Sequence, residues 1–113
     1  MQVLLQTRPV QEEETKDALL GVLADKYSRA ILESTLEMPK STIDLSSECG
    51  IPIRTTYRRV QLLHQHKLLG ISGSISHDGK KYFLYKSKIK SIVTYFGSGT
   101  LDVEIVPNSE QKS

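Results

Sequence analysis

Residues 50–69, GIPIRTTYRRVQLLHQHKLL, constrain the fold of this chain more than any other stretch. Apolar side chains recur at helical spacing at Ile53, Tyr57, Val60 and Leu63, Gly50 stands before them at a natural turning point, and Pro52 suits the first turn of a helix, where a missing N–H costs nothing. The segment predicts a helix over 52–66. With Val60 and Leu63 inward, a rotation of about 100° per residue puts Arg54, Arg58, Gln61 and Gln65 on the opposite face, with Thr55 and Arg59 on its shoulders. The helix contains three arginines and no acid, so its exposed face is polar and basic.

The elements before it read as three helices. Residues 11–23 place Ala18, Leu19, Val22 and Leu23 on one face, and Glu12, Glu13 and Glu14 suit the positive end of a helix. Asp25 can cap a second helix from Lys26 to about Leu36, with Tyr27, Ala30, Ile31 and Ser34 inward and Pro39 as the stop. Ser41 or Thr42 can cap a third, through Glu48, that buries Ile43 and Leu45 with Cys49 close behind.

After Leu69 the hydrophobic period falls to two. Ile71, Gly73 and Ile75 alternate with serines, His77-Asp78-Gly79-Lys80 makes a turn, and Tyr82 to Tyr85 returns, which predicts a hairpin over 69–87. A second hairpin is expected over about 90–106, with strands at 92–96 and 100–106 around Gly97-Ser98-Gly99, and a frayed tail over 107–113. Residues 1–6 are a candidate strand to pair with it. A short helix, tight turn, basic helix and basic hairpin form the order of a winged helix: an α+β fold with a helical core, occupying 1–106 as one domain.

Charge follows the same division. Residues 1–53 hold five cations against nine acids, a balance of −4, whereas 54–90 hold nine cations against Asp78 alone, a balance of +8. The remaining residues contribute −2, giving the net charge of +2. Charge alone would fit a solvated basic face. Its coincidence with the helical motif favours a nucleic-acid surface. At 113 residues with 38% apolar and 25% charged side chains, the chain has the length and composition of one globular domain. No apolar run approaches the roughly 20 residues that span a bilayer, and the N-terminus has neither a basic lead nor a cleavage site. The single cysteine fits a reducing compartment, so the expected location is cytoplasmic.

LADKYSRAILEST, a capped short helix, and then GIPIRTTYRRVQLLHQHKLL resemble the ArsR-like winged-helix transcription regulators, particularly the small archaeal ones. The resemblance covers residues 19–86, most of the chain. It implies that the 52–66 helix enters the major groove of double-stranded DNA while the hairpin wing touches backbone or minor groove. Arg54, Thr55, Arg58 and Arg59 stand where the family contacts DNA, and His77, Lys80 and Lys81 stand at the wing tip. Gln61, on the outward face, completes the candidate set. Metal sensing is not implied, because Cys49 has no neighbouring cysteine and no His/Asp cluster has ligand spacing. The C-terminal hairpin also departs from members that end in a dimerising helix.

Each candidate has an ordinary structural alternative. Arg59 suits either a phosphate or an acid of the first half, and Tyr57 suits the edge of the core better than a base. Alternation puts Lys80 and Lys81 on opposite faces, and lysines at Lys86, Lys88 and Lys90 also guard a hairpin against aggregation. His64 and His66 point about 200° apart on a helix and make no metal pair; His64 is expected near the core and His66 at the surface. No catalytic constellation and no cofactor motif stands out. The expected function is sequence-specific DNA binding by a non-enzymatic homodimer, with half-sites about 34 Å apart. The alternatives are a winged-helix protein-interaction module within a larger assembly, or a small-ligand sensor.

Overall fold

A computed structural model describes residues 7–108. The order is β1 (Arg8–Val10), α1 (Glu13–Ala24), α2 (Lys26–Ser34), α3 (Thr42–Cys49), α4 (Ile53–Gln65), β2 (Leu69–His77), β3 (Lys80–Ser87), β4 (Ile89–Gly97) and β5 (Thr100–Pro107). Helices and antiparallel hairpins make an α+β winged helix. The strands form two sheets, a β2–β3 ribbon and a three-stranded sheet ordered β1-β5-β4. The core lies between them, built on Leu19, Val22, Ile31, Leu45, Val60 and Leu63 of the four helices. Leu68, Leu69, Ile89 and Val103 close it from the strand side. The radius of gyration of 15.2 Å exceeds the roughly 13 Å of a compact chain of this size, and the long axis is 55 Å, because the wing, exposed along most of β2, projects from that core.

Local chemistry sets the helix boundaries. Asp25 Oδ2 accepts the Ser28 amide at 2.9 Å and caps α2. Ser41 Oγ accepts the Asp44 amide at 3.2 Å and caps α3. At the far end of α3, Gly50 takes the left-handed conformation (φ 65°), and the Ile51 amide turns back to Ser46 O at 3.1 Å. The chain then enters α4 through Pro52, which precedes the first helical residue.

Several expected inward positions move by one residue. In α4 the buried stripe is Thr56, Val60 and Leu63, while Ile53 and Tyr57 are 45% and 50% exposed. At about 100° per residue Thr56 lies about 40° from Val60 and about 20° from Leu63, whereas Tyr57 lies on the other side of Val60, about 120° from Leu63. The cost of burying a hydroxyl is offset by the bond from Thr56 Oγ1 to Pro52 O at 3.0 Å. In α3, Thr42 and Leu45 face inward and Ile43 is 47% exposed, again because the i, i+3 line starts one residue earlier. In α2 the buried residues are Ser28, Ile31 and Leu32, with Tyr27, Ala30 and Ser34 half-buried beside them. That helix stops at Ser34, two residues short of the expected Leu36. Buried Thr35 turns its hydroxyl onto Ile31 O at 2.9 Å and gives its carbonyl to the Ser87 amide at 3.1 Å.

The wing closes at Asp78 and Gly79, both at positive φ (52° and 73°), the backbone of a two-residue hairpin turn. A bulge lies between Ile71 and Ser74, where Gly73 adopts φ 139°. The base of the wing is fastened to the loop before α3, since Lys40 and Tyr85 exchange backbone hydrogen bonds at 2.9 and 2.8 Å. The second hairpin turns at Ser98 and Gly99 (φ 52° and 77°). Val103 is buried against the helices, so this hairpin covers the core. The strand expected over residues 1–6 lies outside the described residues, and the segment that pairs with β5 is Arg8–Val10. Of the tail expected to fray from residue 107, Asn108 is anchored: its Nδ2 donates to Leu36 O and Ser87 O, both at 3.0 Å. Residues 109–113 lie outside the described part.

Candidate nucleic-acid interface

Helix α4 turns Arg54, Arg58, Gln61 and Gln65 to solvent, as the spacing predicts. Arg54 and Arg58 stand one turn apart, and neither forms an ion pair among the described residues. Ile53 and Tyr57 occupy the same exposed side, so the surface is basic with an apolar component. Thr55 is half-buried on the shoulder.

Arg59, one turn further along the same shoulder, is occupied. Its Nε donates to Asp25 Oδ2 at 2.7 Å and its Nη2 donates to Asp25 Oδ1 at 3.3 Å. Of the two partners envisaged for it, an acid of the first half takes it. The same Oδ2 accepts both the amide and the hydroxyl of Ser28, so one carboxylate caps α2 and anchors α4. The hydrogen bond from Arg59 is the largest cause holding the Asp25 carboxyl well below the usual carboxylate range, against burial, which raises it. The centroid of the Tyr27 ring lies 6.0 Å from the guanidinium carbon. A second cross-link, Lys40 Nζ to Glu48 Oε1 at 2.5 Å, ties the loop before α3 to its last turn and lowers the Glu48 pKa.

At the wing tip the register sets His77 opposite Lys80 and Ser76 opposite Lys81. Lys80 and Lys81 therefore occupy opposite faces, as alternation predicts. Lys81 Nζ lies 5.5 Å from the centroid of the Phe83 ring on its own face. His77 Nε2 lies 3.2 Å from Asp78 Oδ2, so the one acid of the basic segment sits at the turn itself. His64 is exposed rather than near the core, with its ring edge-on to Tyr85 at 6.0 Å. His66 is at the surface. Cys49 is half-buried, its Sγ 3.8 Å from Ala30 O. Among the described residues no three His, Cys, Asp or Glu side chains converge at a metal-binding distance. No helix among them is long and apolar enough to cross a membrane.

Sequence reasoning did not find the two-sided role of Asp25. Its capping position is visible beside Lys26, but its second partner stands 34 residues away and depends on how α2 crosses α4. The exposure of Ile53 and Tyr57 was also missed; the buried line through Thr56 becomes visible only when a threonine is admitted to the core.

No family model matches the chain, and no curated protein does. Solved structures are similar in fold. One is the homodimeric winged helix-turn-helix DNA-binding domain (fragment 1–100) of Mb0332 from Mycobacterium bovis, a possible ArsR-family transcriptional regulator. It aligns with a TM-score of 0.50 and 14% identity over 68% of this chain and 72% of that one. NolR from Sinorhizobium fredii aligns with a TM-score of 0.53 and 16% identity over 71% of this chain and 80% of its own. At these identities the likeness establishes the shared architecture, a winged helix-turn-helix.

Proposed function

We propose that this chain is a DNA-binding transcription regulator that places α4 in the major groove and lays its wing along the flanking backbone. The carrying observation is the outer face of α4, where Arg54 and Arg58 stand exposed and unpaired one turn apart on a helix with no acid. An arginine can donate two parallel hydrogen bonds to guanine O6 and N7, each such pair contributing about 1–3 kcal/mol of discrimination. Gln61 has the amide that adenine N6 and N7 accommodate. Thr55, His77, Lys80 and Lys81 suit phosphates or base edges at the margins. Arg59, engaged by Asp25, fixes the pitch of α4 and stands beside the contact surface. Binding as a homodimer, the state given for the Mb0332 domain, would offer two such helices to two half-sites. The chemistry is recognition without turnover.

The test is fluorescence anisotropy on duplexes selected from a random pool, across a salt series, with wild type beside Arg54→Ala/Arg58→Ala. Submicromolar binding that weakens steeply with salt and loses sequence preference in the double variant is the expected result. Weak, unselective binding that the substitutions leave unchanged would overturn the reading and favour a protein-interaction module.

A further inference from the structure

The β1-β5-β4 sheet has two edges of different character. The β1 edge is three residues long and carries Arg8 and Pro9, a short guarded edge. The β4 edge is nine residues long, and from Ser91 to Leu101 the sequence holds no charged residue. Val93, Tyr95 and Phe96 on this edge are 44%, 60% and 76% exposed. The single irregularity of β4 falls between Ile89 and Ser91, so 91–97 runs in regular register. Gly97 pairs with Thr100 across the two-residue turn. In such a hairpin the closing pair is hydrogen-bonded, and bonding alternates from there. The backbone groups of Val93 and Tyr95 therefore point to β5, while those of Ile92, Thr94 and Phe96 point to the free edge.

The side chains alternate as well. Ile92 pairs with Ile105 and Thr94 with Val103, so Ile92, Thr94 and Phe96 lie on the face that covers the core. Beside Ile92, on that face, opens a mostly apolar cleft of about 190 Å³ walled by Val22, Leu23, Leu32 and Leu36, with Arg29, Glu33 and Lys90 also lining it. Phe96 lies too far along the strand to fill it from within its own chain.

We propose that a second copy of this chain pairs with β4 in antiparallel fashion about a two-fold axis at Thr94, joining the two sheets edge to edge. This deepens the homodimer included in the function proposed above by naming its interface. The two-fold register sets Thr94 opposite Thr94, Ile92 opposite the partner's Phe96, and Val93 opposite the partner's Tyr95. These are β-branched–aromatic and Thr–Thr pairs, the combinations that stabilise antiparallel strands. Lys90 faces the partner's Ser98, so no like charges meet. The outward-pointing backbone groups of Ile92, Thr94 and Phe96 find their complements in the same register. The partner's Phe96 points to the same face as Ile92 and reaches the mouth of the cleft, and the arrangement is reciprocal. A knob and its hole on one chain, related by the register that also satisfies the backbone, make a second copy the fitting occupant.

The test measures oligomeric state without DNA. Wild type is expected to sediment as a dimer at tens of micromolar, and Phe96→Ala to raise the dissociation constant at least about tenfold. Thr94→Lys, which sets two lysines face to face, should leave a monomer whose thermal melt is followed by circular dichroism. In a Cys49→Ser background, Thr94→Cys should form an intermolecular disulfide under mild oxidation much faster than Ser72→Cys on the exposed wing. A wild type that is monomeric throughout, a dimer untouched by Phe96→Ala, or cross-linking no faster at position 94 than at 72 would overturn the proposal. If Thr94→Lys fails to fold, the other two variants decide. A β4 dimer that ignores DNA would overturn the regulator reading and leave this interface standing. A monomer that still reads a half-site through Arg54 and Arg58 would do the reverse.

Discussion

Replacing Asp25 with alanine removes two things at once, and the structure allows each to be weighed. The first is the cap on α2, the bond from the Ser28 amide at 2.9 Å, whose loss costs about 1 kcal/mol. The second is the forked pair with Arg59. Charge-assisted bonds of this kind contribute about 1.5–3 kcal/mol when desolvated. With the two side chains 31% and 26% exposed, solvent screening brings the pair down to about 1 kcal/mol. Asp25→Ala is therefore expected to cost about 2 kcal/mol, a fall in Tm of about 8 °C. Arg59→Ala removes only the pair and should cost about 1 kcal/mol, and the double variant no more than Asp25→Ala alone.

The pH dependence has a definite sign. Because the folded carboxyl of Asp25 titrates well below its unfolded value, the folded state binds fewer protons in the interval between the two. The stability it contributes is present in full above the unfolded pKa of about 4 and is lost as pH falls from there toward the depressed folded value. The gap in stability between wild type and Asp25→Ala should thus be widest near neutrality and narrow below about pH 4. Urea unfolding of the four proteins of the cycle at several pH values measures it. A coupling under about 0.3 kcal/mol, with a gap that does not change between neutral and acid pH, would refute the assignment.

Other expectations follow from single contacts. Leu63→Ala empties a fully buried site shared by helices and wing and should cost about 2–5 kcal/mol in denaturant unfolding. Gly50→Ala meets no atom within 4 Å, so its cost is conformational alone, about 1 kcal/mol for a left-handed alanine, read as a Tm shift. Asn108→Asp cannot donate to Leu36 O or Ser87 O and should destabilise more than Asn108→Ala, which loses about 1–2 kcal/mol, in the same melts. Lys80→Ala at the wing tip should lower the salt slope of DNA binding by about one phosphate contact while leaving sequence preference intact, as measured by anisotropy.

What the sequence displayed was local chemistry. Asp25 and Ser41 cap helices because a side-chain oxygen lies three residues before an unsatisfied amide, a relation that needs no tertiary structure. The Asp78-Gly79 turn is equally local, and so is the outward sector of α4 once Val60 and Leu63 are inward. The features that escaped depend on distance or on polar residues in the core. Thr56 and Thr42 lie on inward lines that hydropathy assigns to Tyr57 and Ile43. The pairing of β1 with β5 joins distant parts of the chain, and Asn108 reaches back to carbonyls just beyond α2 and at the end of β3. The candidate interface was legible as a set of residues, but Arg59 could be separated from that set only through the geometry of Asp25.

The fastening of the wing has a consequence for how a duplex would be measured. Tyr85 commits both backbone groups to Lys40 and sets its ring against His64 of α4, while Ser87 is bonded to Thr35 at the end of α2. The base of the hairpin is thereby clamped on three sides, and rotation of the wing relative to α4 would break all of these contacts together. Helix and wing then behave as the fixed jaws of a caliper. In the proposed complex, a duplex accommodated between them would bring groove floor and neighbouring strand to a set spacing, by its own shape or by bending to it. Sequences that bend cheaply would be favoured at base pairs that no side chain touches.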